Sequence, residues 1–191
     1  MKGYHYIKRG IDIILSGMAI VILSPLLLFL CIAIKLDTPG PILFKQKRVG
    51  IHRSFFQIYK FRTMRIDTPK DVPTHMLENP EQYITKVGKF LRKTSLDELP
   101  QIFNIFKGEM SIVGPRPALW NQDDLVAERE KYGANDVTPG LTGWAQINGR
   151  DELEIPDKAR LDGEYVKHLG PWMDLKCFLG TIGSVLMHDG G

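Results

Sequence analysis

Ile13 to Ile34 reads IILSGMAIVILSPLLLFLCIAI, a run without a single charge, and its reading decides the fold. Lys8, Arg9 and Asp12 precede it, and Lys35 and Asp37 follow. As one helix it reaches about 33 Å, enough to cross the hydrocarbon core of a bilayer. A cleaved signal peptide fits poorly: the run is long for one, and Asp37-Thr-Pro-Gly-Pro41 follows instead of a small-x-small site. An uncleaved anchor is the expectation. Ser24-Pro25 lies in mid-segment, where proline removes a backbone donor and clashes with the carbonyl four residues earlier. A break there, with the serine hydroxyl satisfying a freed group, would let the chain enter and leave one leaflet. Basic residues flank both sides, Lys2, Lys8 and Arg9 before and Lys45, Lys47, Arg48 and Arg53 after. That leaves spanning and re-entry open, with a slight lean to re-entry.

Outward from this anchor, the chain of 191 residues has room for one domain besides it. The expected division is a membrane helix over residues 1–36 and a domain over 37–191. A hydrophobic content of 43% and a charged content of 25% exclude wholesale disorder. The net charge of +3 hides an asymmetry: residues 1–117 carry 18 Lys/Arg against 9 Asp/Glu, and the remainder 7 against 13. The first part therefore suits an anionic partner, either phosphates or a lipid surface. Cys31 and Cys177 make no disulfide framework and read as reduced packing residues.

The pattern beyond the anchor predicts an α+β fold, mainly helical. Residues 42–48 and 54–63 read as a β-hairpin around Gly50-Ile-His-Arg-Ser54, with Lys60 and Arg62 on one strand face. Residues 67–80 read as a loop. Tyr83 to Lys93 has helical periodicity with lysines in the gaps, which suits either an anionic membrane surface or an ordinary solvated face. Leu99, Ile102, Phe103 and Phe106 form a further stripe ended by Gly108. Charged, exposed helices are expected over 121–132 and 156–168. The apolar stretch 172–187 either packs as core or rests on the interface.

Three constellations could carry chemistry. The first, Thr94-Ser-Leu-Asp-Glu-Leu-Pro100, holds adjacent carboxylates at a helix start. Ser95-x-x-Glu98 matches a capping box, so a structural role competes with a catalytic one. Arg92 and Lys93 upstream favour ionised carboxylates and bind phosphate, and a helix mouth also suits an anion. The second is Ser111-Ile-Val-Gly-Pro-Arg-Pro117, where two prolines hold Arg116 on an extended strut fit for bidentate phosphate recognition. The third, Thr138 to Arg150, offers Thr142, Gly143, Gln146, Asn148 and Arg150 among glycines that allow close backbone approach. No nucleotide-binding glycine motif of the Walker or dinucleotide type occurs, and the five histidines are scattered.

These pieces, in this order, closely resemble the bacterial sugar transferases, specifically the small monotopic phosphoglycosyl transferases. The landmarks are Ser24-Pro25, Pro39-Gly-Pro41, Phe44-Lys-Gln-Lys-Arg-Val-Gly50, Lys60-Phe-Arg-Thr-Met64, Arg92 to Gln101, Gly108 to Pro117 and Pro139 to Gly143. The resemblance implies a re-entrant helix broken at Ser24-Pro25, amphipathic interfacial helices and residence on the cytoplasmic face of the bacterial inner membrane. It implies a magnesium-dependent transfer of sugar-1-phosphate from a UDP-sugar to polyprenol phosphate (undecaprenyl phosphate), releasing UMP and initiating capsule, O-antigen or glycoprotein glycans. Asp97 would be the nucleophile forming a covalent phospho-sugar intermediate and Glu98 its partner, with Mg2+ at this pair. Lys60, Arg62, Arg92 and Arg116 are expected phosphate ligands, joined by Thr142, Gly143, Gln146 and Arg150 towards the nucleotide. Trp120-Asn-Gln122 and Trp144 resemble members acting on acetamido-deoxy sugars. Membrane lipid is an expected partner, nucleic acid is not, and self-association stays open. The competing reading is a membrane-anchored basic adaptor that binds anionic lipid without catalysis.

Overall fold

The computed structural model describes residues 2–68, 80–149 and 153–188. Helix α1 (Lys2–Asp37) is followed by the antiparallel hairpin β1 (Leu43–Val49) and β2 (Phe55–Phe61), in a register that pairs Phe44 with Lys60. Then come α2 (Lys86–Lys93), α3 (Gln101–Lys107), β3 (Ser111–Val113), α4 (Asp123–Glu130), β4 (Gly140–Thr142), the single turn α5 (Trp144–Ile147), α6 (Ile155–Lys167) and α7 (Pro171–His188). The fold is mainly helical α+β. Beside the hairpin it holds a short parallel pair, β3 with β4, which the sequence reading took for extended and glycine-rich loop. Most of the expected 67–80 loop lies outside the described residues.

Helix α1 runs through Ser24-Pro25 as one element with Pro25 in its interior. Pro25 has no N–H for the carbonyl of Val21, and the Ser24 hydroxyl donates to that same carbonyl at 2.8 Å. The orphaned acceptor is thereby satisfied from within the helix. Alone among the described helices, α1 is long and apolar enough to cross a membrane.

Both flanks of α1 are fixed to the same globular body. Near its start, Lys8 pairs with Asp174 of α7 at 2.5 Å, and Tyr4 donates to the same carboxylate at 2.7 Å. The next residue, Arg9, donates to the carbonyls of Ile105 and Phe106, capping the C-terminal end of α3. The buried Asp12 accepts the backbone N–H of Ile112 at 3.0 Å. Past the proline, Leu30 and Ile34 pack against Phe61 and Leu91, and Asp37 accepts the N–H of Val87. Between these anchorages Met18, Val21 and Ile22 stay exposed.

The amphipathic readings resolve element by element. Helix α7 buries Met173 and Cys177 against Val113 and Tyr165, as the core expectation has it, and exposes an apolar face of Trp172, Leu175, Phe178, Leu179 and Ile182. Helix α2 packs Val87 and Leu91 beneath α1 and leaves Phe90 exposed between lysines. Helix α6 is less exposed than expected, because Ala159, Leu161, Asp162 and Tyr165 are buried. Helix α3 departs most: Phe103 and Phe106 are exposed, while Gln101, Ile102, Asn104 and Ile105 face inward.

The glycines of the third constellation are packing devices. A Cβ on Gly143 would lie 2.1 Å from the Gly114 carbonyl oxygen, and one on Gly140 equally close to the Gly114 nitrogen. Gly143→Ala should therefore cost about 1–3 kcal/mol by overpacking against backbone that cannot yield. A melting curve indistinguishable from wild type would contradict this packing.

Candidate active site

Lys60 is the penultimate residue of β2 and shares a strand face with the buried Ile58, which directs it inward. Its ammonium donates to Glu98 Oε1 at 2.7 Å. Glu98 closes a single 3-10 turn, Leu96–Glu98, between α2 and α3. Leu96 and Leu99, on either side of the carboxylate pair, pack against the cluster of Leu30, Ile34, Phe61 and Leu91, so the turn rests on a core to which α1 contributes. The turn is entered through Ser95 at φ 55, a left-handed conformation uncommon for any residue but glycine. Arg116, on the proline-flanked strut, completes the group by donating to Glu98 Oε1 at 3.0 Å.

This geometry removes the capping-box alternative. Ser95 makes no side-chain cap, its carbonyl merely accepts the Glu98 N–H, and the Glu98 carboxylate turns to the two cations. Helix α3 begins after Pro100, which has no capping side chain. Neither acid is there to cap a helix.

The two adjacent carboxylates live in opposite environments. Burial alone would raise the Glu98 pKa, but Arg116 and Lys60 outweigh it and hold the group down at about 2. Asp97 is raised above the ordinary aspartate value, by burial first and by repulsion from Glu98, with Lys60 and Arg92 restraining the rise. No side chain hydrogen-bonds its carboxylate among the described residues. One acid is thus a locked anion, and its neighbour is more basic and uncommitted. Environments that push neighbouring carboxylates apart assign them different tasks.

The remaining expected ligands divide. Arg92 joins the centre: its Nε donates to Thr63 Oγ1 at 2.9 Å, burial lowers its pKa, and Asp97 opposes that drop. Arg62 does not join it. Although adjacent to the strand carrying Lys60, it is buried, and its fork is occupied by the Thr38 and Pro39 carbonyls and the Thr38 hydroxyl, tying down the exit of α1. Thr142 pairs with Thr181 of α7, Gln146 donates to the Leu141 carbonyl, and Gly143 packs on Gly114. These three shape the strut that carries Arg116 and do not reach Glu98. Arg150 lies outside the described residues. Sequence reasoning missed Asn104, which accepts the Tyr59 N–H and donates to the Gln57 carbonyl, clamping β2 to α3. The available signal was a polar residue one helical turn from Gln101 inside an apolar stretch.

Among the described residues no cluster of three or more His, Cys, Asp or Glu could hold a metal by itself. The pair Asp97-Glu98 suits magnesium of another type, held by one or two carboxylates with the rest of its shell from water and substrate phosphate.

Residues 3–188 match the family model described as bacterial sugar transferase. The chain belongs to that family. It is 40% identical over 189 residues to a UDP-glucose:undecaprenyl-phosphate glucose-1-phosphate transferase of Escherichia coli (strain K12), covering 92% of this chain and 39% of that protein. It is 41% identical to one of the same name from Caulobacter vibrioides, covering 95% and 70%. A UDP-N-acetylgalactosamine-undecaprenyl-phosphate N-acetylgalactosaminephosphotransferase of Aeromonas hydrophila is 38% identical, covering 96% and 44%. The chain thus spans about two fifths of the length of the Escherichia coli relative.

Because the folded pKa of Glu98 is depressed, its stabilising contribution is complete above about 4.5 and is lost as pH falls towards about 2. The melting temperatures of wild type and Glu98→Gln should therefore converge as pH drops through that window. A gap that stays constant from pH 6 to 3 would contradict the ion-paired carboxylate.

Proposed function

We propose that the protein transfers a sugar-1-phosphate from a UDP-sugar to polyprenol phosphate, with Asp97 as nucleophile. The observation that carries this reading is the split environment of the carboxylate pair: Glu98 is fixed by Lys60 and Arg116, whereas Asp97 is the more basic and lacks a side-chain partner. In the first step an Asp97 carboxylate oxygen bonds to the β-phosphorus of the donor. The bond from that phosphorus to the bridging oxygen breaks, and its electron pair leaves with UMP. In the second step a phosphate oxygen of the polyprenol phosphate attacks the same phosphorus and the Asp97 carboxylate departs, restored. The charges balance in both steps, and a soluble donor and a lipid acceptor use one centre in turn.

A carboxylate attacks a phosphodiester only where repulsion between the anions is screened. Lys60, Arg92 and Arg116 supply three cations around the pair, and magnesium held by Asp97, Glu98 and the donor's pyrophosphate would add further charge neutralisation when bound. Glu98 anchors the cations and keeps Arg116 aimed at the reacting phosphate. We take the donor to be an acetamido-deoxy sugar, with the reaction the first membrane step of glycan assembly.

The same reading assigns a monotopic topology on the cytoplasmic face of the inner membrane. A helix of this length is about 54 Å if straight, and a spanning helix would carry its two flanks to opposite sides of the bilayer. Here Arg9 and Asp12 hold α3 and β3, while Leu30, Ile34 and Asp37 hold β2 and α2 of the same body. The exposed middle around Val21 and Ile22 then dips into one leaflet, and the apolar face of α7 lies along it.

Purified protein given a panel of UDP-sugars and polyprenol phosphate should release UMP, fastest from an acetamido-deoxy donor. Asp97→Asn should lose at least about a thousandfold of that rate, on the scale of removing a nucleophile. Because Asp97 must be ionised and its pKa is raised, the acid limb of the rate should lie above the ordinary value of 3.8. UMP release by Asp97→Asn at wild-type rate would defeat the reading. A cysteine placed at position 3 and labelled only from the periplasm would defeat the topology.

A further inference from the structure

Gln101 is one of the most completely buried side chains among the described residues, at 1% exposure, yet neither its amide nitrogen nor its amide oxygen has a hydrogen-bond partner among them. A buried amide left unpaired costs free energy that an apolar side chain of the same shape avoids, so packing alone does not account for it. Its position supplies an account. From Leu96 to α3 the backbone stays right-handed helical: Leu99 lies at φ −51, ψ −39 and Pro100 at φ −61, ψ −13. Turn bonds of the i to i+3 kind link Leu99 to Leu96, Ile102 to Leu99 and Phe103 to Pro100. Asp97 and Gln101 are therefore four residues apart on a right-handed stretch of backbone, a separation across which a glutamine amide can reach an aspartate carboxylate. One turn further, Asn104 clamps Gln57 and Tyr59 of β2, while Glu98 clamps Lys60. Gln101 sits between two fixed points of the chain, four residues after the one carboxylate of the centre that has no side-chain partner among the described residues.

We propose that Gln101 is a positioning residue for Asp97: its Nε2 donates to the carboxylate in the reacting complex and holds one oxygen, so that the other faces the donor phosphorus. Once the phospho-sugar is bonded to Asp97, the same N–H donates to the oxygen that is not esterified, keeping the ester in place for the lipid phosphate. Gln101 touches no reacting phosphorus and acts through Asp97. The inference rests on Asp97 being the nucleophile.

Gln101→Met keeps length and volume and removes both polar atoms, and Gln101→Glu keeps the shape but replaces the donor by an acceptor. Gln101→Met should melt at or above the wild-type temperature, because an unpaired amide is removed. Its kcat for UMP release should fall about tenfold or more, with the donor KM changed less than about twofold, as expected of lost alignment and not lost binding. Gln101→Glu should fall at least as far, since it cannot donate while ionised and places a third carboxylate beside the pair. A Gln101→Met protein with wild-type kcat overturns the proposal, as does one whose KM alone rises. So does one that melts several degrees lower, which would make the amide structural. Wild type and Asp97→Asn run in parallel separate the two failures. A wild type without UMP release, or an active Asp97→Asn, removes the reading of Asp97. An active wild type, a silent Asp97→Asn and an unimpaired Gln101→Met remove only the role of Gln101.

Discussion

One carboxylate oxygen, Glu98 Oε1, receives Lys60 at 2.7 Å and Arg116 at 3.0 Å, and the architecture of the site follows from that meeting. Lys60 comes from the hairpin, Arg116 from the proline strut, and Glu98 from the turn that opens α3. No two of these are close in sequence. Taking the three groups partly out of water costs desolvation, so the contact is a poor source of net stability. Its effect is on charge: it holds Glu98 ionised and two cations in fixed positions beside a second acid. The asymmetry of the pair, a locked Glu98 and a more basic Asp97, is the consequence on which catalysis turns.

Helix α3 connects this centre to the membrane helix. Its entry turn carries Asp97-Glu98, and its last carbonyls accept Arg9 of α1. Leu96 and Leu99, which bracket the acids, pack against the cluster to which the far half of α1 contributes Leu30 and Ile34. Both ends of α3 are therefore referred to one apolar helix, which fixes the carboxylates relative to it. On the proposed reading, that is what an enzyme needs when one substrate is dissolved and the other is confined to the interface. The proline keeps its place in the interior because Ser24 satisfies the carbonyl that Pro25 abandons.

The sequence was most legible where pattern and local chemistry coincide. The hairpin follows from alternation around a turn, α3 stops at Gly108 in the left-handed conformation, and the apolar run is one long helix. Asp97, Glu98, Lys60, Arg92 and Arg116 were named in advance and are assembled together. Legibility failed where tertiary context decides. Arg62 is only two residues from Lys60 but just past the strand end, where its fork meets the carbonyls at the exit of α1. The motif of Thr142, Gly143 and Gln146 looked like a ligand loop because glycines permit close approach, but what approaches is Gly114. The stripe on α3 was read from its phenylalanines, which face outward; the inner face carries Gln101 and Asn104. Under the proposed topology, a membrane surface inverts the usual rule that apolar residues mark the core.

The central claim, that Asp97 carries the phospho-sugar, is tested most directly by mass spectrometry of the protein mixed with donor and no lipid acceptor. The account predicts an adduct of one sugar-phosphate on the segment from Thr94 to Lys107, absent in Asp97→Asn and discharged when polyprenol phosphate is added. An enzyme that turns over with acceptor yet forms no adduct without it, or forms one on another residue, would contradict it.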